Sequence, residues 1–179
     1  MLPQTPFYYY DIALLQATLD AIYHEIAQHP NYHVHYALKA NANPRLLEVI
    51  QQAGLGADCV SGGYLQRAIE AGFPADKVVY AGVGKSDREI LLALQHDIFC
   101  FNVESIPELQ VINELAEREG KVARVCLRIN PDVEAHTHTH IVTGMAENKF
   151  GIALADMMTV VEMVNELPHV SFEGLHFHI

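Results

Sequence analysis

The stretch His33-Val34-His35-Tyr36-Ala37-Leu38-Lys39-Ala40-Asn41-Ala42-Asn43-Pro44 decides how the chain is read. Residues 33–38 predict a short extended strand, and the Asn-Ala-Asn-Pro run after Lys39 predicts a turn into a helix. Lys39 is therefore expected at the carboxyl end of a buried strand. Burial disfavours the ammonium form, lowers a lysine pKa and makes the amine a better nucleophile toward carbonyl carbons. A lone lysine can also reach water by extending its methylene stem, so its meaning depends on its surroundings.

Those surroundings repeat one pattern. Apolar runs predict strands over 33–38, 57–60, 78–81, 98–103, 122–129 and 172–179, and amphipathic runs predict helices over 12–28, 44–53, 63–71, 87–94, 106–118 and 154–166. Asp11 is a predicted N-cap, and Asn43 before Pro44 supplies a cap with proline in the first turn. Ser86 with Glu89, and Ser105 with Glu108, fit the capping box, in which hydroxyl and carboxylate satisfy each other's orphan amides. Ser61 is placed as a cap too, but Tyr64 stands where a box would have Glu or Gln. Nearly unbroken apolar strands alternating with helices imply a parallel sheet covered by helices. Two closures suit such a chain: an open doubly wound sheet of six strands, or a (β/α)₈ barrel cut about two units short. The run Gly174-Leu175-His176-Phe177-His178-Ile179 stops within a predicted strand, so a cut chain is expected.

Composition removes several function classes. The 179 residues are half hydrophobic and 18% charged, with a formal charge of -11, which disfavours nucleic acid and anionic membranes as partners. No apolar run approaches the ~20 residues of a membrane span. Cys59, Cys100 and Cys126 share no metal-ligand spacing; buried thiols in a reducing cytoplasm are expected. His136-Thr137-His138-Thr139-His140 could ligate zinc on one strand face, but it follows the Asn130-Pro131-Asp132 turn signal and lacks a well-spaced carboxylate or thiol. A long exposed loop over 131–147 is the expectation there, and no metal site is assigned.

The polar residues Lys39, Asp58, Asn102, Arg128, Asn130, His176 and His178 all fall at predicted strand ends. Carboxyl ends of parallel strands converge on one face, where active sites form. A Lys, an Asp, an Arg and a His gathered there suit a ligand bearing an aldehyde and a phosphate. Ser61-Gly62-Gly63, opening a helix, is a weaker candidate for an anion cradle.

Seven motifs in order carry a resemblance. They are Tyr36-Ala37-Leu38-Lys39-Ala40-Asn41, Ala57-Asp58-Cys59-Val60-Ser61-Gly62-Gly63, Ala81-Gly82-Val83-Gly84-Lys85, Phe101-Asn102-Val103-Glu104-Ser105, Leu127-Arg128-Ile129-Asn130-Pro131-Asp132, Thr143-Gly144 with Glu147-Asn148-Lys149-Phe150-Gly151-Ile152, and the closing Gly174 to Ile179 run. Together they closely resemble the bacterial diaminopimelate decarboxylases, fold-type III pyridoxal-phosphate enzymes, over essentially the whole chain. The resemblance implies a (β/α)₈ TIM-type barrel of which residues 1–179 form the part through about six strands. It implies Lys39 as the lysine that carries pyridoxal 5'-phosphate and His178 as the histidine stacked on its ring, both catalytic. It implies Asp58 and Arg128 as further cofactor-binding residues, Lys149 as a residue of a homodimer interface, and an amino-acid substrate. In relatives the phosphate-binding loop, the acid facing the pyridine nitrogen, the arginine for the substrate carboxylate and the partner subunit's cysteine lie downstream. Relatives carry Glu where Tyr64 stands, close to the cofactor.

Overall fold

The computed structural model describes residues 4–131 and 150–178. Helix α1 (Ile12–Ile26) leads into β1 (His35–Ala37), α2 (Pro44–Gln52), β2 (Gly56–Cys59), α3 (Gly62–Glu70), β3 (Val78–Tyr80), α4 (Asp87–His96), β4 (Cys100–Val103), α5 (Ile106–Arg118), β5 (Ala123–Asn130), β6 (Ile152–Ala153), α6 (Met157–Glu166) and β7 (Val170–His176). Single 3₁₀ turns, Ala75–Lys77 and Leu154–Asp156, precede β3 and α6. Every pairing is parallel, in the order β1-β2-β3-β4-β5, with β7 and the two-residue β6 both on β5.

That order has no reversal. A doubly wound sheet turns back at a switch point, whereas here each long strand lies beside its predecessor with a helix between. This is the singly wound path of a (β/α)₈ barrel. Sequence reasoning missed β6, whose two residues are too few to show periodicity.

Register explains the two faces of the sheet. Cys59, Tyr80, Phe101 and Val125 are partners in one row, and Val103 pairs Leu127; all are at most 2% exposed, beneath the helices. With Leu47, Ile50, Leu65, Ile90, Leu109 and Ile112 from the helices they form one continuous core. Each such aliphatic or aromatic side chain contributes roughly 1.5–3 kcal/mol. The opposite row runs Ala37, Asp58, Val79 and Cys100, then Asn102 with Cys126 and Arg128 with His176. The side chains with chemistry therefore share the concave face.

Helix starts follow the sequence. Asp11 accepts from the Leu14 amide at 3.0 Å, and Asn43 from the Arg45 amide at 3.0 Å. Ser86 and Glu89 form the expected capping box. The second expected box is only half made. Ser105 accepts from the Glu108 amide at 3.4 Å, but the Glu108 carboxylate turns to the Glu104 amide and to Lys85.

Candidate active site

The carboxyl ends of the strands surround a cavity of about 520 Å³, whose wall includes Lys39, Asp58, Asn102, Glu104, Arg128, His176 and His178. A volume of this order suits a small cofactor and substrate. Val60, Val79, Ala81 and Val83 supply its apolar side.

All of the predicted strand-end residues but Asn130 reach this cavity, though not as expected in every case. Strand β1 is shorter than predicted: the chain turns after it, with the Ala40 amide donating to Ala37 at 3.0 Å. Leu38 takes the buried direction at 0% exposure. Lys39 points the other way and is exposed at the cavity rim. The burial expected for its amine is not found, because the strand ends before it. His178 likewise lies past the end of β7 and is exposed. Asp58 is half-buried, and burial raises its carboxyl pKa while the charges of Lys39, His35 and His178 oppose the rise. That electrostatic coupling places Asp58 among these three groups. Asn130, also named from the sequence, is buried at 8% exposure and is not part of the cavity wall.

Arg128 is the most firmly held member. Its Nη1 donates to both carboxylate oxygens of Glu104 at 2.9 Å, with the side chains 12% and 4% exposed. The Phe150 ring lies 5.6 Å from the guanidinium carbon, within cation–π range. Gly151 follows at φ +84; a Cβ there would come 3.0 Å from the Arg128 carbonyl oxygen, so the close approach requires glycine. His176, the register partner of Arg128, has its pKa lowered by burial first and then by the Arg128 charge. Its Nδ1 is buried and lacks a hydrogen-bond partner. Glu104, His33 and His35 also line the cavity and were not singled out. The signal for Glu104 was an acid at a strand end immediately before a helix cap.

The Ser61-Gly62-Gly63 turn does not form an anion cradle. The Gly62 amide donates at 2.7 Å to Oε1 of Glu89 from α4, and a Cβ on Gly62 would sit 2.6 Å from the Glu89 Cγ. The helix N-terminus is already filled by a carboxylate. Tyr64 is half-buried against the core and does not line the cavity.

His136, His138, His140, Thr143, Gly144, Lys149 and Ile179 lie outside the described residues. Among the described residues no group of three His, Cys, Asp or Glu side chains is placed to hold a metal ion, and no helix is long and apolar enough to cross a membrane.

Residues 15–179 match the family described as "Pyridoxal-dependent decarboxylase, pyridoxal binding domain". The chain belongs to this family. It is 62% identical to the diaminopimelate decarboxylase of Bacteroides thetaiotaomicron over 98% of its own length and 46% of the relative's. It is 41% identical to the diaminopimelate decarboxylase of Aquifex aeolicus over 98% of its length and 41% of that relative. Among solved structures, the Helicobacter pylori diaminopimelate decarboxylase complexed with L-lysine superposes with a TM-score of 0.90 at 37% identity, covering 99% of this chain and 45% of that one. The diaminopimelate decarboxylase from M. jannaschii, also with L-lysine, gives 0.80 at 36% identity, covering 92% of this chain and 40% of that one. The chain thus spans less than half the length of the relatives it matches.

Membership implies pyridoxal phosphate as the cofactor, and the cavity fits it. Lys39 offers an amine for the aldehyde, His178 a flat imidazole, Asp58 an acid, and Arg128 a fixed donor. The unpaired His176 Nδ1 leaves one wall atom in need of a partner.

Proposed function

We propose that this chain supplies the pyridoxal-binding part of a decarboxylase that converts meso-diaminopimelate to L-lysine. The convergence of Lys39, Asp58, Arg128 and His178 on one cavity carries this reading. Lys39, exposed at the rim, would hold the cofactor through its amine. His178 would offer its imidazole face to the cofactor ring. Asp58 sets a half-buried acid within reach of the Lys39 and His178 charges. Arg128 offers its donors from a fixed direction, and Val60, Val79, Ala81 and Val83 give the cavity an apolar side. Pyridoxal phosphate, when bound, supplies the sink for the electrons left as carbon dioxide departs.

The polypeptide is further proposed to be cytoplasmic and, through Lys149, to pair as a homodimer. Three unpaired cysteines support the first of these. By itself the chain is expected to hold the cofactor weakly and not to turn over, since relatives are more than twice as long. The test compares diaminopimelate decarboxylation by this chain alone with that by the chain joined to the remainder of the Bacteroides relative. Activity only in the joined protein supports the reading; none in either, with both folded, contradicts it.

A second reading, a partial barrel used as a self-associating scaffold, draws support from β1 and β7, each of which is paired on one side only among the described strands. Such edges favour intermolecular pairing. A monomer at every concentration in size exclusion would remove it.

A further inference from the structure

We propose that Glu104 is a positioning residue that fixes Arg128 in the cavity, as the last member of a buried charge relay anchored by Lys85. What Arg128 then serves rests on the decarboxylase reading; that Glu104 holds it does not.

The relay is continuous. Lys85, with its side chain 1% exposed, donates to Oε1 of Glu108 at 2.7 Å. The other oxygen of Glu108 accepts from the Glu104 amide at 2.9 Å. Glu104 then holds Nη1 of Arg128 with both oxygens and also accepts from the Gly82 amide at 3.2 Å. Lys85 returns to the same segments through the carbonyls of Gly82 and Asn102, each at 2.8 Å. The carboxyl ends of β3, β4 and β5 are thereby joined by two cations and two anions.

Each of these charges alone would be costly to bury, and the set is tolerable only when complete. Its product is a guanidinium whose direction is set before any ligand arrives. A planar, multi-donor head held on one edge by Glu104 and flanked by Phe150 loses little freedom on binding. Arg128 also enters the cavity as half of a neutral pair. It therefore acts as an oriented donor rather than as a free charge for a phosphate.

The test uses this chain with the variants Glu104→Gln, Glu104→Asp, Arg128→Gln and the Glu104→Gln, Arg128→Gln double variant. The first readout needs no cofactor: the rate at which phenylglyoxal modifies Arg128, relative to exposed Arg67 and Arg118, by peptide mapping. The second is the fraction of borohydride-trapped pyridoxal phosphate on Lys39 relative to exposed Lys77. Loss of a charged hydrogen bond predicts that Glu104→Gln raises Arg128 modification about tenfold and lowers Lys39 selectivity comparably. Glu104→Asp restores most of both. In the Arg128→Gln background the Glu104→Gln change adds nothing to the loss at Lys39. Arg128 reactivity unchanged in Glu104→Gln, or effects that multiply in the double variant, would overturn the proposal. Absence of any Lys39 preference in the parent chain would instead count against the decarboxylase reading, and the phenylglyoxal rates would still decide the role of Glu104.

Discussion

Glu89 on α4 accepts a hydrogen bond at 2.7 Å from the backbone amide of Gly62 on α3 while it closes the capping box with Ser86 on its own helix. One carboxylate thus serves two helix starts. This explains how α3 forms with Tyr64 in place of the usual boxed acid: the acid comes from the next helix.

The same relationship gives a pH dependence. Hydrogen bonds from the Ser86 amide and hydroxyl, then from Gly62, pull the Glu89 carboxyl down to about 2. Its folded pKa lies below its unfolded one, so its stabilisation is present above the ordinary carboxylate range and is lost as pH falls toward 2. Glu89→Gln should destabilise the chain by about 1–3 kcal/mol near pH 6. Urea midpoints measured from pH 6 to pH 2 should show the two proteins converging as the pH falls.

Lys85 and Glu108 form a buried pair with side chains 1% and 11% exposed. Lys85→Met leaves a buried carboxylate unpaired and should cost about 3–5 kcal/mol in chemical denaturation. The Lys85→Met, Glu108→Leu double variant should recover part of that loss, because an apolar pair avoids the stranded charge.

The three thiols should separate by reactivity. Burial pushes the Cys59 thiol up to about 12. Cys100 is raised first by its hydrogen bond to Cys126 and then by burial, and the same bond pulls Cys126 down. Cys126 is also only partly buried. In timed alkylation followed by mass mapping, Cys126 should react at least about tenfold faster than Cys59, and Cys126→Ser should remove the fast phase.

Much of this structure was legible in the sequence, and the reasons are local. Asp11, Asn43 and Ser86 announced their helices because capping is a matter of three or four neighbouring residues. The parallel sheet followed from apolar strands alternating with helices, and strand-end polarity pointed to Lys39, Asp58, Arg128 and His178, which line one cavity. What escaped depends on distant partners. Lys85 stood only within the Ala81-Gly82-Val83-Gly84-Lys85 motif and was given no role, yet it is buried because Glu108, far along the chain, meets it. Glu108 read as half of a capping box, but the stronger charge drew its carboxylate away. Lys39 was expected to be buried at a strand end, but the strand stops at Ala37 and the chain turns there, so strand alternation no longer sets which way its side chain points.

The proposed role of Lys39 as the lysine that carries the cofactor is read by residue-level mapping after borohydride reduction of this chain with pyridoxal phosphate. A single dominant phosphopyridoxyl adduct on Lys39, removed by Lys39→Arg without transfer to another lysine, is the expected result. A spread of adducts over Lys77, Lys121 and Lys149, with Lys39 no richer than the rest, would contradict it.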